Sequence, residues 1–204
     1  PALSYARDFD DGSALRIDSR GSRWRSTTGQ IATVFDAAGN PDVIEDGDYL
    51  TDTWFGEVTS DYTRDLGETW GAKLTLFQSL LAQDGEDVFE RINAQDGSID
   101  ATRIVDEEVK GETVLRGELR RADDAERALT VTLEGAYNFL DGSIDIFTDD
   151  GTGETRLDLP ISDTRVEEHR GDATLTRLWR AAPNWTVEAG VGAEFSRIAQ
   201  TGDG

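Results

Sequence analysis

The stretch WTVEAGVGAEF, residues 185–195, decides how this chain reads. Trp185, Val187, Ala189, Val191, Ala193 and Phe195 fall on one face of an extended segment. Thr186, Glu188, Gly190, Gly192 and Glu194 fall on the other, because side chains along a strand alternate with a period of two. One face suits hydrocarbon and the other suits water. A tilted strand needs about 9–11 residues to cross a bilayer, whereas strands of soluble proteins most often have about 5–6.

The same split recurs elsewhere. In 109–119, Val109, Gly111, Thr113, Leu115, Gly117 and Leu119 oppose Lys110, Glu112, Arg116 and Glu118, with Val114 the one apolar residue on the charged side. In 129–139, Leu129, Val131, Leu133, Gly135, Tyr137 and Phe139 oppose Thr130, Thr132, Glu134 and Asn138. In 70–80, Trp70, Ala72, Leu74, Leu76 and Leu80 oppose Lys73, Thr75 and Ser79, and Phe77 breaks the polar side. Segment 54–62 sets Trp54, Val58 and Tyr62 against Glu57, Thr59 and Asp61. Strand 165–179 fits least well, since His169 and Arg177 share a face with Gly171, Ala173, Leu175 and Trp179.

Short polar connections at 9–12, 65–69, 122–126 and 180–184 recur at regular intervals. Between them lie the acid-rich stretches 36–52, 84–108 and 141–168, which read as long loops. Alternation of short turns with long loops predicts an all-β, antiparallel up-and-down transmembrane β-barrel segment. Its short turns are periplasmic and its long acidic loops extracellular. The chain reads as one partial barrel domain, residues 1–204. Lys110, Glu112, Arg116, Glu118, Glu134, Glu188 and Glu194 then face the lumen in a lattice of ion pairs and hydrogen bonds, because a charge at the bilayer midplane costs about 2–4 kcal/mol. Tyr62, Trp70, Trp179 and Trp185, bracketing two of the short turns, are the expected interfacial aromatic girdle. Arg177 is near enough to a turn to snorkel, and His169 belongs at the loop end.

Composition narrows the classes. Forty-two acidic and 20 basic residues give a net charge of −22, which argues against a nucleic-acid partner. The acidic stretches read as solvated carboxylates, or as a divalent-cation bridge to anionic lipopolysaccharide or a site for a cationic ligand. No run approaches the 18 or so apolar residues of a transmembrane helix. The absence of cysteine removes disulfides, thiolate metal sites and a Cys nucleophile.

No catalytic constellation stands out, so the chain reads as no enzyme, with no cofactor or metal. His169, the sole histidine, has no nucleophile elbow to serve. Asp8-Phe9-Asp10-Asp11-Gly12 lacks the downstream Glu of a calcium loop and reads as a hairpin turn. Gly151-Thr152-Gly153 lacks the Lys of a phosphate loop. Asp-Gly-Ser-Ile-Asp, at 96–100 and again at 141–145, reads as two independent turns.

The segments DTWFGEVTSDYTRDLG (52–67) and NWTVEAGVGAEFSR (184–197) resemble barrel hairpins of TonB-dependent outer-membrane receptors. Such receptors are plugged barrels of about 22 strands that import scarce ligands with inner-membrane energy. The resemblance implies a location in the bacterial outer membrane. It also implies contacts with lipid, lipopolysaccharide, the remaining barrel and a plug, and with TonB through a missing part. The start at Pro1, without Met or signal pattern, fits a fragment. The ligand residues are unknown from this likeness. A porin-like barrel and a soluble secreted β-sandwich binding module are the alternatives, the latter because a half-buried antiparallel sheet also alternates.

Overall fold

A computed structural model describes residues 1–124, 127–160 and 162–202. All regular structure among them is strand: β1 (Ala2–Asp8), β2 (Ala14–Phe35), β3 (Pro41–Asp65), β4 (Trp70–Asn93), β5 (Ile99–Asp124), β6 (Arg127–Asp149), β7 (Thr155–Arg156), β8 (Asp163–Ala182) and β9 (Trp185–Gly202). They form one antiparallel meander in the order β1-β2-β3-β4-β5-β6-β8-β9, with the two-residue β7 attached to β6. The sheet is open, with β1 at one edge and β9 at the other.

Three short turns among the described residues, the first, second and fourth of the four expected, gather at one end of the sheet. At the first, Asp11 accepts hydrogen bonds from the Ser13 amide at 3.1 Å and hydroxyl at 2.7 Å. Gly12 adopts φ +80°, a left-handed conformation that is nearly free only for glycine. Asp65 to Trp70 and Ala182 to Trp185 close the second and fourth. Part of the third connection, expected over 122–126, lies outside the described residues at 125 and 126.

The long loops are where the expectation needs correcting. Residues 41–52, 84–93 and 99–108 are strand, continuous with the alternating segments, so β3, β4 and β5 run for 25, 24 and 26 residues. Five-residue connections remain at two far tips, 36–40 and 94–98, while β6 and β8 keep a longer connection between Asp149 and Asp163 that carries β7 and is described except at residue 161. The extensions carry their own β-formers. Tyr49 meets Phe89 edge-on at 5.4 Å, and Arg103 lies 4.3 Å over the Phe147 ring while pairing with Glu154 at 2.8 Å. Of the two Asp-Gly-Ser-Ile-Asp copies, the first forms a tip, where Asp96 accepts from the Ser98 amide at 2.9 Å and Gly97 has φ +72°. The second, 141–145, lies inside β6 and is no turn.

A conventional core is missing from one layer of strands. Ala136, 7% exposed, is the only buried apolar residue among the described ones. It stands beside Val114, which is in register with Phe77. The two residues that break the polar side of the alternation are therefore cross-strand partners, and they shield each other.

Candidate functional site

Two faces of the sheet carry the chemistry, and the ladder shows which residues share each. Ile17, Ser60, Leu76, Leu115, Gly135, Gly171 and Phe195 form one continuous cross-strand row. Leu15, Tyr62, Leu74, Gly117, Leu133, Ala173 and Ala193 form the next. Every member of both rows is uncharged. Nothing covers this apolar face: Leu115 is 51% exposed, Leu133 58%, Val191 68% and Phe195 69%.

Tyr62, Trp70, Trp179 and Trp185 all fall on this same face at its turn end. Arg121 lies 5.9 Å over the Trp70 ring. Arg177 shares a row with Leu129 and Ala189, two residues short of Trp179. Trp54, with Arg23 4.5 Å over its ring, sits on the same face at the opposite border. His169 is also there, its ring 4.9 Å from that of Tyr137.

The apolar belt does not follow the rows. Val58, the centre of 54–62, connects through Gln78, Thr113, Tyr137 and His169 to Arg197. The belt of β9 is centred instead on Gly190, seven residues nearer the short turns. Midway, Tyr137 is three residues past Glu134, the centre of 129–139. The offset from the row is three residues in β4, one in β5, three in β6 and β8 and seven in β9, always toward the turns, an average slip of about 1.4 residues per strand. With a rise of about 3.4 Å per residue and strands about 4.8 Å apart, that slip is a slant of about 45°.

All seven polar residues singled out from sequence lie on the opposite face. Arg116, Glu134 and Glu194 share one row; Lys110, Glu112, Glu118 and Glu188 occupy rows on either side. Two of the seven stand in ion pairs among the described residues. Lys110 pairs with Glu108 at 2.6 Å and Glu134 with Arg170 at 3.2 Å. Further pairs of this face, among them Arg20 with Glu57 at 2.6 Å and Lys73 with Asp61 at 3.1 Å, use neighbours instead.

Higher on this face is a feature that reading single strands missed. Phe55, Leu81, Lys110, Leu140 and Val166, one cross-strand row, line a recess of about 440 Å³ beside the row of Ser79, Glu112, Asn138 and Glu168. Phe55, Leu81, Leu140 and Val166 lie 26, 59 and 26 residues apart in the chain, and only register joins them.

Above the belt the acids crowd. The Asp106 carboxylate lies across Gly85, which has no side chain to obstruct it. Burial pushes the Asp106 carboxyl above the usual range, and Asp87, Glu108 and Asp84 add to the shift. Among the described residues no three His, Cys, Asp or Glu side chains converge to hold a metal ion. No family model and no curated protein matches the chain.

Proposed function

We propose that this chain is part of the wall of an outer-membrane β-barrel, in a TonB-dependent receptor that takes up a scarce ligand. The slanted belt is the observation that carries the membrane reading. Strands of outer-membrane barrels tilt by about 35–45°, so a horizontal hydrocarbon layer crosses successive strands at drifting register. The drift here corresponds to about 45°, and it links segments chosen for alternation alone.

Exposure supports the same reading. A soluble sandwich buries its apolar face under a second layer, whereas these Leu, Val and Phe side chains lie open. The receptor assignment rests on the likeness of 52–67 and 184–197 to receptor hairpins. The open sheet edges agree, since backbone groups in lipid need further strands to satisfy them. In this role the apolar face anchors the wall, the polar face lines the interior, and the extended acidic hairpins border the mouth. No residue makes or breaks a bond of the ligand.

Fractionation tests the membrane reading. The chain is expected in the membrane or insoluble fraction, regaining its far-ultraviolet β signal only in detergent or lipid. A monomer that stays in plain buffer and melts cooperatively would overturn it.

A further inference from the structure

The turn end of the apolar face carries charge that anchoring in hydrocarbon does not call for. Arg121, Arg127 and Arg177, from β5, β6 and β8, border one cavity of about 480 Å³ together with Leu129, Trp179 and Arg180. Arg121 and Arg177 are the register neighbours of Leu129 on either side, and Arg127 lies two residues nearer the turn on the same strand. Three guanidinium side chains thus start around one leucine of the outward face. The chain has a net charge of −22, yet in this corner Arg121, Arg127, Arg177 and Arg180 outnumber Asp123, Asp124 and Glu126 of the adjoining turn.

Two further observations point to a ligand. Arg177 makes no hydrogen bond or ion pair among the described residues, whereas Arg20, Arg103 and Arg165 each meet a carboxylate at 2.6 to 2.8 Å. Depth is the second. Leu129 lies five residues from Glu134, the centre of the belt on β6. At about 3.4 Å per residue and a tilt of about 45°, that is about 12 Å from the midplane, the border of an apolar band about 25 Å tall. Toward the midplane the next outward rows hold Leu119, Val131 and Leu175, then Leu133, an apolar track with no charge in it.

We propose that this corner binds an anionic glycerophospholipid, with its phosphate held over Leu129 by Arg177, Arg121 and Arg127 and an acyl chain lying along Val131, Leu133 and Leu175. A guanidinium presents a planar fork of donors that matches a phosphate, and its long stem reaches the headgroup level from within the belt. Trp70, 5.9 Å beneath Arg121, and Trp179 flank the site at the level that amphipathic rings prefer. A free phosphate would use the guanidinium groups and leave the apolar track idle; the lipid uses both. The inference rests on the membrane reading and names the lipid that its turn-side border selects.

The full chain is reconstituted in phosphatidylcholine vesicles in which a minor fraction of the lipid, either phosphatidylglycerol or phosphatidylcholine, carries brominated acyl chains. Quenching of tryptophan emission reports the lipid beside Trp70 and Trp179, with circular dichroism as the folding control. Brominated phosphatidylglycerol should associate at least about fivefold more strongly than brominated phosphatidylcholine, the gain one basic group gives near a membrane surface. Arg177→Gln should lose most of that preference, and Arg177→Lys, which keeps the charge, should retain more than half. Arg197→Gln, on the same face toward the opposite border, should leave it unchanged. Inorganic phosphate, compared with chloride at matched ionic strength, should not displace the lipid. An unaltered preference in Arg177→Gln, an equal loss in Arg197→Gln, or displacement by inorganic phosphate would overturn the proposal. Equal quenching by the two lipids refutes this site alone, whereas quenching by neither refutes the membrane reading and the site with it.

Discussion

Leu133 and Glu134 are neighbours in sequence and face opposite media. Leu133 lies near the centre of the belt, exposed over more than half its surface, while Glu134 is paired with Arg170 on the other face. Leu133→Arg should therefore cost about 2–4 kcal/mol in unfolding from lipid vesicles, the depth-dependent charge on a barrel surface. If that face met water the change would stay within about 0.5 kcal/mol. Asp36, at a far tip, is held differently. It accepts from the amides of Asn40 and Ala38, both at 2.8 Å, and from the Asn40 side chain at 3.2 Å. The Asn40 amide is the largest cause holding its carboxyl below the usual range. A depressed folded value stabilises the tip above the ordinary carboxylate pKa, and this is lost as pH falls through the folded one. An NMR titration should place Asp36 below an unfolded reference peptide, and Asp36→Ala should remove the acid-induced loosening of Asn40.

At the scale of elements, the belt segments could be recognised in sequence and the strand ends could not. Alternation at 109–119 and 129–139 gave each residue its face, because one medium excludes charge and the other admits it. Beyond the belt that constraint disappears. Asp46-Gly47-Asp48 and Gln83-Asp84-Gly85-Glu86-Asp87 place polar groups on both faces, so their composition resembles a loop. They remain strand because the register set in the belt carries on outward through backbone hydrogen bonds, helped by contacts such as Tyr49 on Phe89. The recess was illegible for a related reason: its residues meet only across strands. The hairpin tips should tolerate change that the belt does not. A ten-residue insert between Gln95 and Asp96 should leave the β signal intact, whereas the same insert between Thr75 and Leu76 should abolish it. Equal losses at the two sites would contradict the division into belt and extension.

For the whole molecule, the open edges dominate. β1 covers only residues 14–20 of β2, leaving the rest of that strand as an edge, and β9 is unpaired along its outer side. In lipid each bare N–H and C=O is costly, so the isolated sheet should recruit partners. Purified in detergent, the chain should sediment as an assembly of more than one copy. A stable monodisperse monomer would mean that the sheet closes on itself or that its edges are tolerated in water. Fusing further strands to β9 should shift the chain toward a single copy.

The extended hairpins also have a consequence for anything approaching them. On 41–52, 84–93, 99–108 and 141–149, Arg91 and Arg103 are the only basic residues among a majority-acidic charge set. Such a collar acts as a fixed-charge cation exchanger, holding mobile cations near it above their bulk concentration. A cationic solute would reach the mouth already enriched, and the enrichment would fade as salt shortens the screening length from about 10 Å at 0.1 M to about 3 Å at 1 M. Its rate of entry through the mouth would then fall with ionic strength, while that of a neutral solute would not.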